Sequence, residues 1–285
     1  MAIGEIIWTY FNGVWHQGDL PVMNAADHGM WLGTLVFDGA RQFNGVVPDL
    51  APHCARINDS AKAMGMDPTL TADEMVALTR EGLTKFDADA PVYIRPMYWS
   101  KEGAKGIISP DPSSTQFSLC LEQIPMPAVD ASQTLCRTEF IRPMITMAPV
   151  NAKAACLYPN NARMIRAAQA RGYDNAIVAD ALGNVAESAT ANIFLVKDGI
   201  VRTPIPNGTF LNGITRQRVM KLLRAAGHTV EEATLSFDDF DAADEVFLTG
   251  NVSKITPIVK VEDREYPIGP ITKEARTLYW EWAGA

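Results

Sequence analysis

Lys153 is the residue of this chain whose type and surroundings point most directly to chemistry. It lies in the stretch Met147–Tyr158, which reads MAPVNAKAACLY and carries no other charge. An ammonium group among alanines, a proline and a cysteine is poorly solvated, and desolvation lowers a lysine pKa toward the free-amine form. A free amine attacks aldehydes, so Lys153 is a candidate Schiff-base lysine. The alternative is a surface lysine whose stem packs along a loop.

Four further features accompany Lys153, and two of them are suited to binding an anionic group. Tyr158 follows Lys153 by five positions and Glu187 follows it by 34. The segment Leu211–Arg216 (LNGITR) places a glycine and a threonine before an amphipathic stretch, and a phosphate at a helix N-terminus needs such N–H groups and a hydroxyl. Arg56 offers a two-pronged phosphate contact. Taken singly, the threonine is equally an ordinary N-cap and Arg56 an exposed helix residue. Together, the lysine, carboxylate, tyrosine and anion cradle are the parts that hold pyridoxal phosphate.

Metal chemistry is not indicated by the histidines and cysteines. His28 has no second histidine at metal-ligand spacing, and it is interpreted as a structural residue or a support for the site. The other three histidines are isolated, and the four cysteines are scattered without a C-x-x-C pair (His16, His53, His228, Cys54, Cys120, Cys136, Cys156). The sequence therefore predicts no metal site and no disulfide framework, and four reduced thiols fit the cytoplasm.

Composition narrows the class of protein further. The chain has 285 residues, 47% of them apolar and 20% charged, as in a globular protein. Its net charge of -8 and the absence of a run of lysine and arginine argue against nucleic acid or an anionic membrane as partner. The opening residues MAIGE lack a secretory signal pattern, and no apolar stretch reaches about 18 residues. A cytoplasmic globular protein is expected.

Strands and helices alternate along the chain, which predicts an α+β fold. In the first half we expect a hairpin turning at Asn12-Gly13, a helix capped by Thr71, and further elements at Cys54–Met64 (helix), Val92–Trp99 and Phe117–Leu121 (strands). In the second half we expect a strand at Leu135–Ile141, helices at Asn161–Arg171, Thr215–Ala226 and Thr272–Trp282, and hairpins turning at Gly183-Asn184 and Asp198-Gly199.

A proline-rich stretch, Gln123–Asp130, follows neither the helical nor the strand period. We interpret it as a link between two domains. The predicted division is a small N-terminal α/β domain over residues 1–122, an interdomain loop over 123–133, and a larger C-terminal domain over 134–285 that carries Lys153.

The order and spacing of these motifs resemble the class IV (fold-type IV) aminotransferases, a family of pyridoxal-phosphate enzymes. This family includes branched-chain and D-amino-acid aminotransferases and aminodeoxychorismate lyase. The resemblance covers nearly the whole chain, and its most specific segments are Gly33–Gly39 (GTLVFDG), Tyr93–Pro96 (YIRP), the Lys153-to-Glu187 spacing, Gly213–Arg216 (GITR), Asp244–Phe247 (DEVF) and Ile255–Pro257 (ITP). It implies a two-domain fold-type IV architecture and a homodimer or larger homo-oligomer.

The resemblance also implies roles for individual residues toward the cofactor. Lys153 resembles the lysine that bonds to pyridoxal phosphate and moves a proton between the substrate Cα and the cofactor. Glu187 resembles the partner of the pyridine nitrogen, and Tyr158 resembles the phenol bonded to the ring oxygen O3′. The implied phosphate ligands are Arg56, Ile214, Thr215 and Asn251, the last of these standing where the family usually has a threonine.

The implied substrate residues are Phe37, Tyr93, Arg95, Met126, Val252 and the loop Lys105–Pro110. The YIRP signature is most similar to branched-chain aminotransferases, in which Tyr93 would hold the substrate carboxylate and Arg95 the distal carboxylate of glutamate or 2-oxoglutarate. Four places depart from that pattern, namely Leu32, Met126, Ala155-Cys156 and Asn251-Val252. These departures leave the cofactor chemistry intact and leave the substrate open.

Three functions therefore stand as hypotheses. The first is a ping-pong transaminase that moves the amino group of leucine, isoleucine or valine to 2-oxoglutarate. The second is a transaminase for D-amino acids or (R)-amines, against which Arg95 argues. The third, ranked last because no additional basic cluster is present, is a lyase of the aminodeoxychorismate type. The partners expected in the first two cases are a small amino donor and a 2-oxo acid acceptor.

Overall fold

The chain divides into two compact units. The computed structural model describes residues 4–285. The first unit comprises the described residues up to Met126, the segment Asn151–Cys156 and Ala285, and the second comprises Pro127–Val150 and Leu157–Gly284. The contacts thus assign the segment that contains Lys153 to the first unit, whereas the predicted division assigned it to the C-terminal domain. The predicted domain limits themselves stay a prediction.

The first unit is built on a six-stranded sheet with three helices. The sheet has the order β2-β1-β6-β5-β3, with β4 also paired to β5, and all of its pairs are antiparallel. Its elements are β1 (Ile7–Phe11), β2 (Val14–Gln17), α1 (His28–Leu32), β3 (Leu35–Phe37), β4 (Ala40–Gln42), α2 (Leu50–Ala63), α3 (Ala72–Leu83), β5 (Val92–Ser100) and β6 (Thr115–Gln123).

Local sequence accounts for several of these elements. Asn12 and Gly13 both have positive φ, at 51° and 82°, which is the backbone of the predicted two-residue hairpin turn. Thr71 caps α3 through a capping box with Glu74, as predicted. The predicted hairpin and cap are therefore confirmed. Helix α2 begins four residues before the predicted start, and α1, β3 and β4 were not predicted because each has only three to five residues.

The two faces of β5 differ in burial. Val92, Ile94 and Pro96 are buried, whereas Tyr93, Arg95 and Met97 alternate with them and are half-buried. Because side chains alternate between the faces of a strand, the second set lies on one face of the sheet. That face carries the predicted substrate residues Tyr93 and Arg95.

The second unit contains a nine-stranded mixed sheet with four helices. Its order is β12-β11-β10-β13-β14-β7-β8-β9, with β15 paired to β14, and the pairs β11–β12, β14–β7 and β7–β8 are parallel. Its elements are β7 (Gln133–Arg137), α4 (Tyr158–Ala170), β8 (Asn175–Ala179), β9 (Val185–Ser188), β10 (Asn192–Lys197), β11 (Ile200–Pro204), α5 (Ile214–Ala225), β12 (Val230–Ala233), α6 (Phe237–Asp241), β13 (Glu245–Gly250), β14 (Lys254–Val261), β15 (Arg264–Glu265) and α7 (Pro270–Ala283).

The hairpins predicted in this unit are confirmed, and one predicted strand is too long. β10 and β11 turn at Asp198 and Gly199, whose φ values of 52° and 74° suit an Asp-Gly turn. The strand predicted over Leu135–Ile141 ends at Arg137, because its pairing with β14 and β8 stops there. The backbone N–H of Arg137 donates instead to the Glu262 carboxylate at 2.6 Å.

The core of the second unit lies on both sides of its sheet. On one side Leu135, Ile193 and Phe240 belong to a buried cluster. On β10 and β13, the rings of Phe194 and Phe247 stack with centroids 4.8 Å apart.

Two kinds of feature are absent from the described residues. No helix in residues 4–285 is long and apolar enough to cross a membrane. Within the same residues, no three side chains of His, Cys, Asp or Glu come together as a metal site would require. The four cysteines carry free thiols, and burial raises the pKa of Cys54 to about 12 and that of Cys120 to about 11. These two thiols therefore stay protonated near neutral pH.

Candidate active site

Lys153 is fixed to the first unit through its backbone. Its N–H donates to Ser60 Oγ of α2 at 3.1 Å, and its carbonyl accepts from the N–H of Phe37 at 3.1 Å. Its neighbour Ala154 forms a β-bridge with Val36. The flanking alanines are buried and the lysine itself is half-buried. Its Nζ lies 4.7 Å from the centre of the Phe37 ring, so the amine is directed at an aromatic face.

Two of the predicted substrate residues, Tyr93 and Arg95, share one sheet face with that ring. Phe37 pairs with Met97 across β3 and β5. Arg95 and Tyr93 follow Met97 on the same face at successive alternate positions, about 7 Å apart along the strand. The structure therefore brings Lys153, Phe37, Arg95 and Tyr93 to one surface, in this order along the sheet.

Two charged residues on this face were not predicted. Arg41 and Glu122 are the cross-strand partners of Tyr93 on its two sides. Arg41 is fully buried and donates to the carbonyls of Ile124 and Pro125. Glu122 accepts a hydrogen bond from the Arg95 guanidinium. Only strand pairing reveals these contacts, because neither residue lies in a recognisable motif.

Arg56, a predicted phosphate ligand, is held by a buried carboxylate. Its Nε and a terminal nitrogen donate to the two oxygens of Asp38 at 2.7 and 2.8 Å, and His53 Nδ1 lies 2.7 Å from the same group. Burial by itself raises the pKa of Asp38, but the charges of Arg56 and His53 outweigh burial and hold that pKa well below its usual range. The Arg56 side chain stays 17% exposed, so Asp38 orients Arg56 without enclosing it.

Replacing Asp38 by Asn is expected to lower the free energy of unfolding by about 3–5 kcal/mol, because one partner of a buried ion pair is lost. The unfolded chain takes up the Asp38 proton at a higher pH than the folded chain does. In the natural protein, stability is therefore lost as the pH falls through the usual carboxyl pKa and below it. Urea unfolding at pH 7 and pH 3 measures both effects.

The control for this prediction is Asp241→Asn. Asp241 pairs with Arg137 at the surface, where the two side chains are 49% and 39% exposed, and such pairs contribute about 0–1 kcal/mol. Equal losses in the two variants would contradict the role assigned to Asp38. An acid dependence that Asp38→Asn leaves unchanged would also contradict it.

In the second unit, Glu187 is buried and paired. Its Oε1 lies 3.0 Å from Arg142 Nε, and its Oε2 accepts from the side-chain amide of Asn192 at 3.2 Å. Arg142 is itself fixed by the carbonyls of Ser188 and Ala189. The carboxylate is thus held in one orientation by two side chains that were not predicted.

Asn192 also joins Glu187 to the turn before α5. Its amide donates to Leu211 O at 3.0 Å, and its Oδ1 accepts from Gly213 N at 3.1 Å. A Cβ on Gly213 would lie 2.1 Å from that Oδ1, so no other residue fits there without moving Asn192. Asn192 therefore couples the carboxylate to the predicted phosphate turn.

The start of α5 has the form of an anion site. Ile214 and Thr215, the predicted phosphate ligands, are its first two residues, and Thr215 is buried. The N-cap residue of this 12-residue helix is Gly213, which has no side chain to cap it, so its first N–H groups are directed toward whatever binds at the N-terminus. Arg216, fully buried, fixes the turn through Asn212 Oδ1 and Pro204 O, both at 2.8 Å.

Asn251 and its neighbourhood contribute buried polar atoms. Asn251 Oδ1 accepts from Lys254 Nζ at 2.7 Å. In the described part of the chain, Asn251 Nδ2 and Thr249 Oγ1 are buried and have no hydrogen-bond partner. Buried donors of this kind require a partner, which fits the prediction that Asn251 contacts phosphate.

The remaining predicted residues lie on exposed or half-buried positions. Tyr158 is the first residue of α4 and is 36% exposed, Val252 is 53% exposed, and Met126 is half-buried. In the predicted substrate loop Lys105–Pro110, the carbonyls of Ile107 and Ile108 lie 2.9 and 3.1 Å from His28 Nε2. This agrees with the structural interpretation of His28.

Several solved structures are similar to this chain over nearly its whole length. An aminotransferase from Brucella abortus, crystallised with bound pyridoxal phosphate, is 58% identical and superimposes with a TM-score of 0.97, covering 99% of this chain and 100% of its own. A branched-chain aminotransferase from Thermoproteus uzoniensis, crystallised with norvaline, is 30% identical with a TM-score of 0.89 over 98% and 95% of the two chains. The predicted fold class is thereby confirmed.

Sequence similarity gives the same family. A putative branched-chain-amino-acid aminotransferase of Methanocaldococcus jannaschii is 31% identical over 277 residues, which are 95% of this chain and 94% of that protein. Residues 35–261 match the family described as amino-transferase class IV. This range contains Lys153, Glu187 and the phosphate turn. The chain therefore belongs to the class IV aminotransferases, as its motifs predicted.

Proposed function

We propose that this enzyme is a transaminase that moves the amino group of L-leucine, L-isoleucine or L-valine to 2-oxoglutarate by a ping-pong mechanism. Its cofactor is pyridoxal phosphate, as the motifs predicted. The observation that carries the proposal is the sheet face shared by Lys153, Phe37, Arg95 and Tyr93. That face offers an amine, an apolar ring and a guanidinium, which suit an apolar side chain and a dicarboxylate in turn.

The residues present fit the cofactor. The Gly213 turn has no room for a Cβ, α5 lacks a side-chain cap, and Asn251 Nδ2 and Thr249 Oγ1 are buried donors. Ile214, Thr215, Asn251 and Arg56 would hold the phosphate, Tyr158 the ring oxygen, and Glu187 the pyridine nitrogen. When bound, pyridoxal phosphate supplies an electron sink for the carbanion at the substrate Cα.

Each side chain then has a defined task. Lys153, whose backbone is fixed by Ser60 and Phe37, would move a proton between the substrate Cα and carbon C4′ of the cofactor. Glu187, fixed by Arg142 and Asn192, keeps a negative charge at the ring nitrogen. Tyr93 holds the substrate carboxylate, and Phe37 contacts the apolar side chain, for which Met126 and Val252 are further proposed contacts.

An absorbance titration with single amino donors tests the proposal. The holoenzyme is mixed separately with L-leucine, D-alanine and an (R)-arylalkylamine, and then with 2-oxoglutarate. Loss of the yellow colour with L-leucine alone, and its return with 2-oxoglutarate, is the expected result. Bleaching by D-alanine or by the (R)-amine instead would contradict the proposed substrate and favour the second hypothesis.

Replacing Gly213 by Ala is expected to weaken pyridoxal-phosphate binding by about 10-fold or more, because the new Cβ displaces Asn192 and with it the hydrogen bond to Glu187. Equilibrium dialysis of the apoenzyme measures the dissociation constant. The control is Gly250→Ala, since the nearest atom to a Cβ there is 3.4 Å away. Equal dissociation constants for Gly213→Ala and the natural protein would contradict the coupling.

A cytoplasmic location and a homodimer or larger homo-oligomer stay predictions for this enzyme. Size-exclusion chromatography with light scattering measures the oligomeric state directly.

A further inference from the structure

Arg95, the residue proposed to receive a distal carboxylate, already has a carboxylate partner within the chain. Its guanidinium donates to Glu122 Oε2. The Arg95 side chain is 23% exposed and that of Glu122 is 10% exposed. The pair is therefore largely shielded from water, and dissolved salt screens such partly buried ion pairs least.

The sheet register places Glu122 on the proposed substrate face. Glu122 is the cross-strand partner of Tyr93, and Arg95 lies two residues farther along β5. Both are on the face that carries Phe37 and, through its ring, the amine of Lys153. Arg95 also lies over the Tyr93 ring, with Cζ 5.4 Å from the ring centre. Glu122 thus contacts the Arg95 guanidinium next to the Tyr93 side chain.

The ion pair with Glu122 changes the net charge that a substrate meets at Arg95. With Glu122 ionised, Arg95 and Glu122 together carry no net charge, so an apolar side chain meets a neutral surface. A substrate with a second carboxylate must compete with Glu122 for the guanidinium, or share it at the cost of two like charges held close together. Either case weakens recognition of a dicarboxylate and leaves a monocarboxylate unaffected.

We propose that Glu122 is a specificity-determining residue that, through its pair with Arg95, shifts this site toward 2-oxo acids and amino acids with uncharged side chains. The inference rests on the proposed function, because it assigns Arg95 to the substrate. Under this proposal 2-oxoglutarate is accepted only when its distal carboxylate displaces Glu122 from the Arg95 guanidinium or shares the guanidinium with Glu122. Glu122 acts through Arg95 and is not itself a catalytic residue.

Binding of two unreactive acids to the holoenzyme tests the proposal without turnover. Glutarate and pentanoate have the same five-carbon chain and differ by one carboxylate, and cofactor absorbance or calorimetry gives their dissociation constants. In Glu122→Gln, glutarate is expected to bind about 10-fold more tightly, since a charged hydrogen bond becomes available to the ligand. Pentanoate binding is expected to change less than about 2-fold, because it makes no contact with the guanidinium.

Two further variants separate specificity from structure. Glu122→Asp keeps the charge and is expected to behave as the natural protein does. The double variant Glu122→Gln with Arg95→Gln is expected to lose the gain in glutarate binding. Thermal unfolding confirms that each variant is folded, so that a failure to fold is not mistaken for a change in recognition.

The possible results decide between the interpretations. If both acids shift together in Glu122→Gln, or if neither shifts, Glu122 has only a structural role and the proposal is overturned. The same proteins are also mixed with L-leucine, and loss of the cofactor colour tests the proposed function separately. If L-leucine bleaches the enzyme but glutarate binding is unchanged in Glu122→Gln, the inference about Glu122 is overturned and the proposed function stands. If Glu122→Gln binds glutarate more tightly but L-leucine does not bleach the enzyme, the inference stands and the proposed substrate is contradicted.

Discussion

Lys153→Ala is expected to reduce the rate of the half-reaction with L-leucine by at least about 10³-fold, because in the role proposed for Lys153 the variant loses both the covalent attachment of the cofactor and the base that moves the proton. The protein should stay folded. The contacts that fix this segment are made by backbone atoms and by Ala154, none of which is altered. Rapid mixing with L-leucine, followed by absorbance, measures the rate.

Two variants serve as controls for this result. Lys62→Ala removes an exposed lysine at the end of α2, in the same unit, and should keep the natural rate. Lys153→Arg keeps a long basic side chain but not a nucleophilic amine, and should be as slow as Lys153→Ala. If Lys153→Ala turned over at more than a trace of the natural rate, another lysine would be the one bonded to the cofactor.

Glu187→Gln is expected to lower the rate of the same half-reaction by about 10²–10³-fold, the usual effect of removing one preorganised electrostatic contact from an active site. The amide keeps the shape of the side chain but removes its charge. In the role proposed for Glu187, the ring nitrogen would then lose the partner that keeps it protonated. The expected spectral sign is a changed pH dependence of the cofactor absorbance, which a loss of stability alone would not produce.

A matched variant separates chemistry from stability in this second case. Glu245 is also a buried glutamate of the second unit, and it caps α7 by accepting from Thr272 N at 2.8 Å and from Thr272 Oγ1 at 2.7 Å. Glu245→Gln should unfold at lower urea concentration while its rate per folded molecule stays unchanged. If the two variants lost rate equally, the charge of Glu187 would have no special part in catalysis.

Turns, caps and chemically distinctive residues were predictable because neighbouring residues determine them. The Asn12-Gly13 and Asp198-Gly199 turns follow from residues that tolerate positive φ, and the α3 cap follows from a threonine three residues before a glutamate. In the same way, the charge-free surroundings of Lys153 and the glycine at position 213 are properties of short segments. Their order along the chain was enough to predict the family.

The sequence by itself determined the fold class, the family and the candidate lysine, whereas the partners of the charged residues were decided only by the tertiary structure. Glu122 meets Arg95, and Arg142 meets Glu187, across strands or loops 27 and 45 positions apart. Strand register sets such contacts, and it depends on how whole sheets bury their apolar faces. A local pattern carries no information about that register. For this reason the residues that hold Arg56, Arg95 and Glu187 in place became visible only in the folded chain.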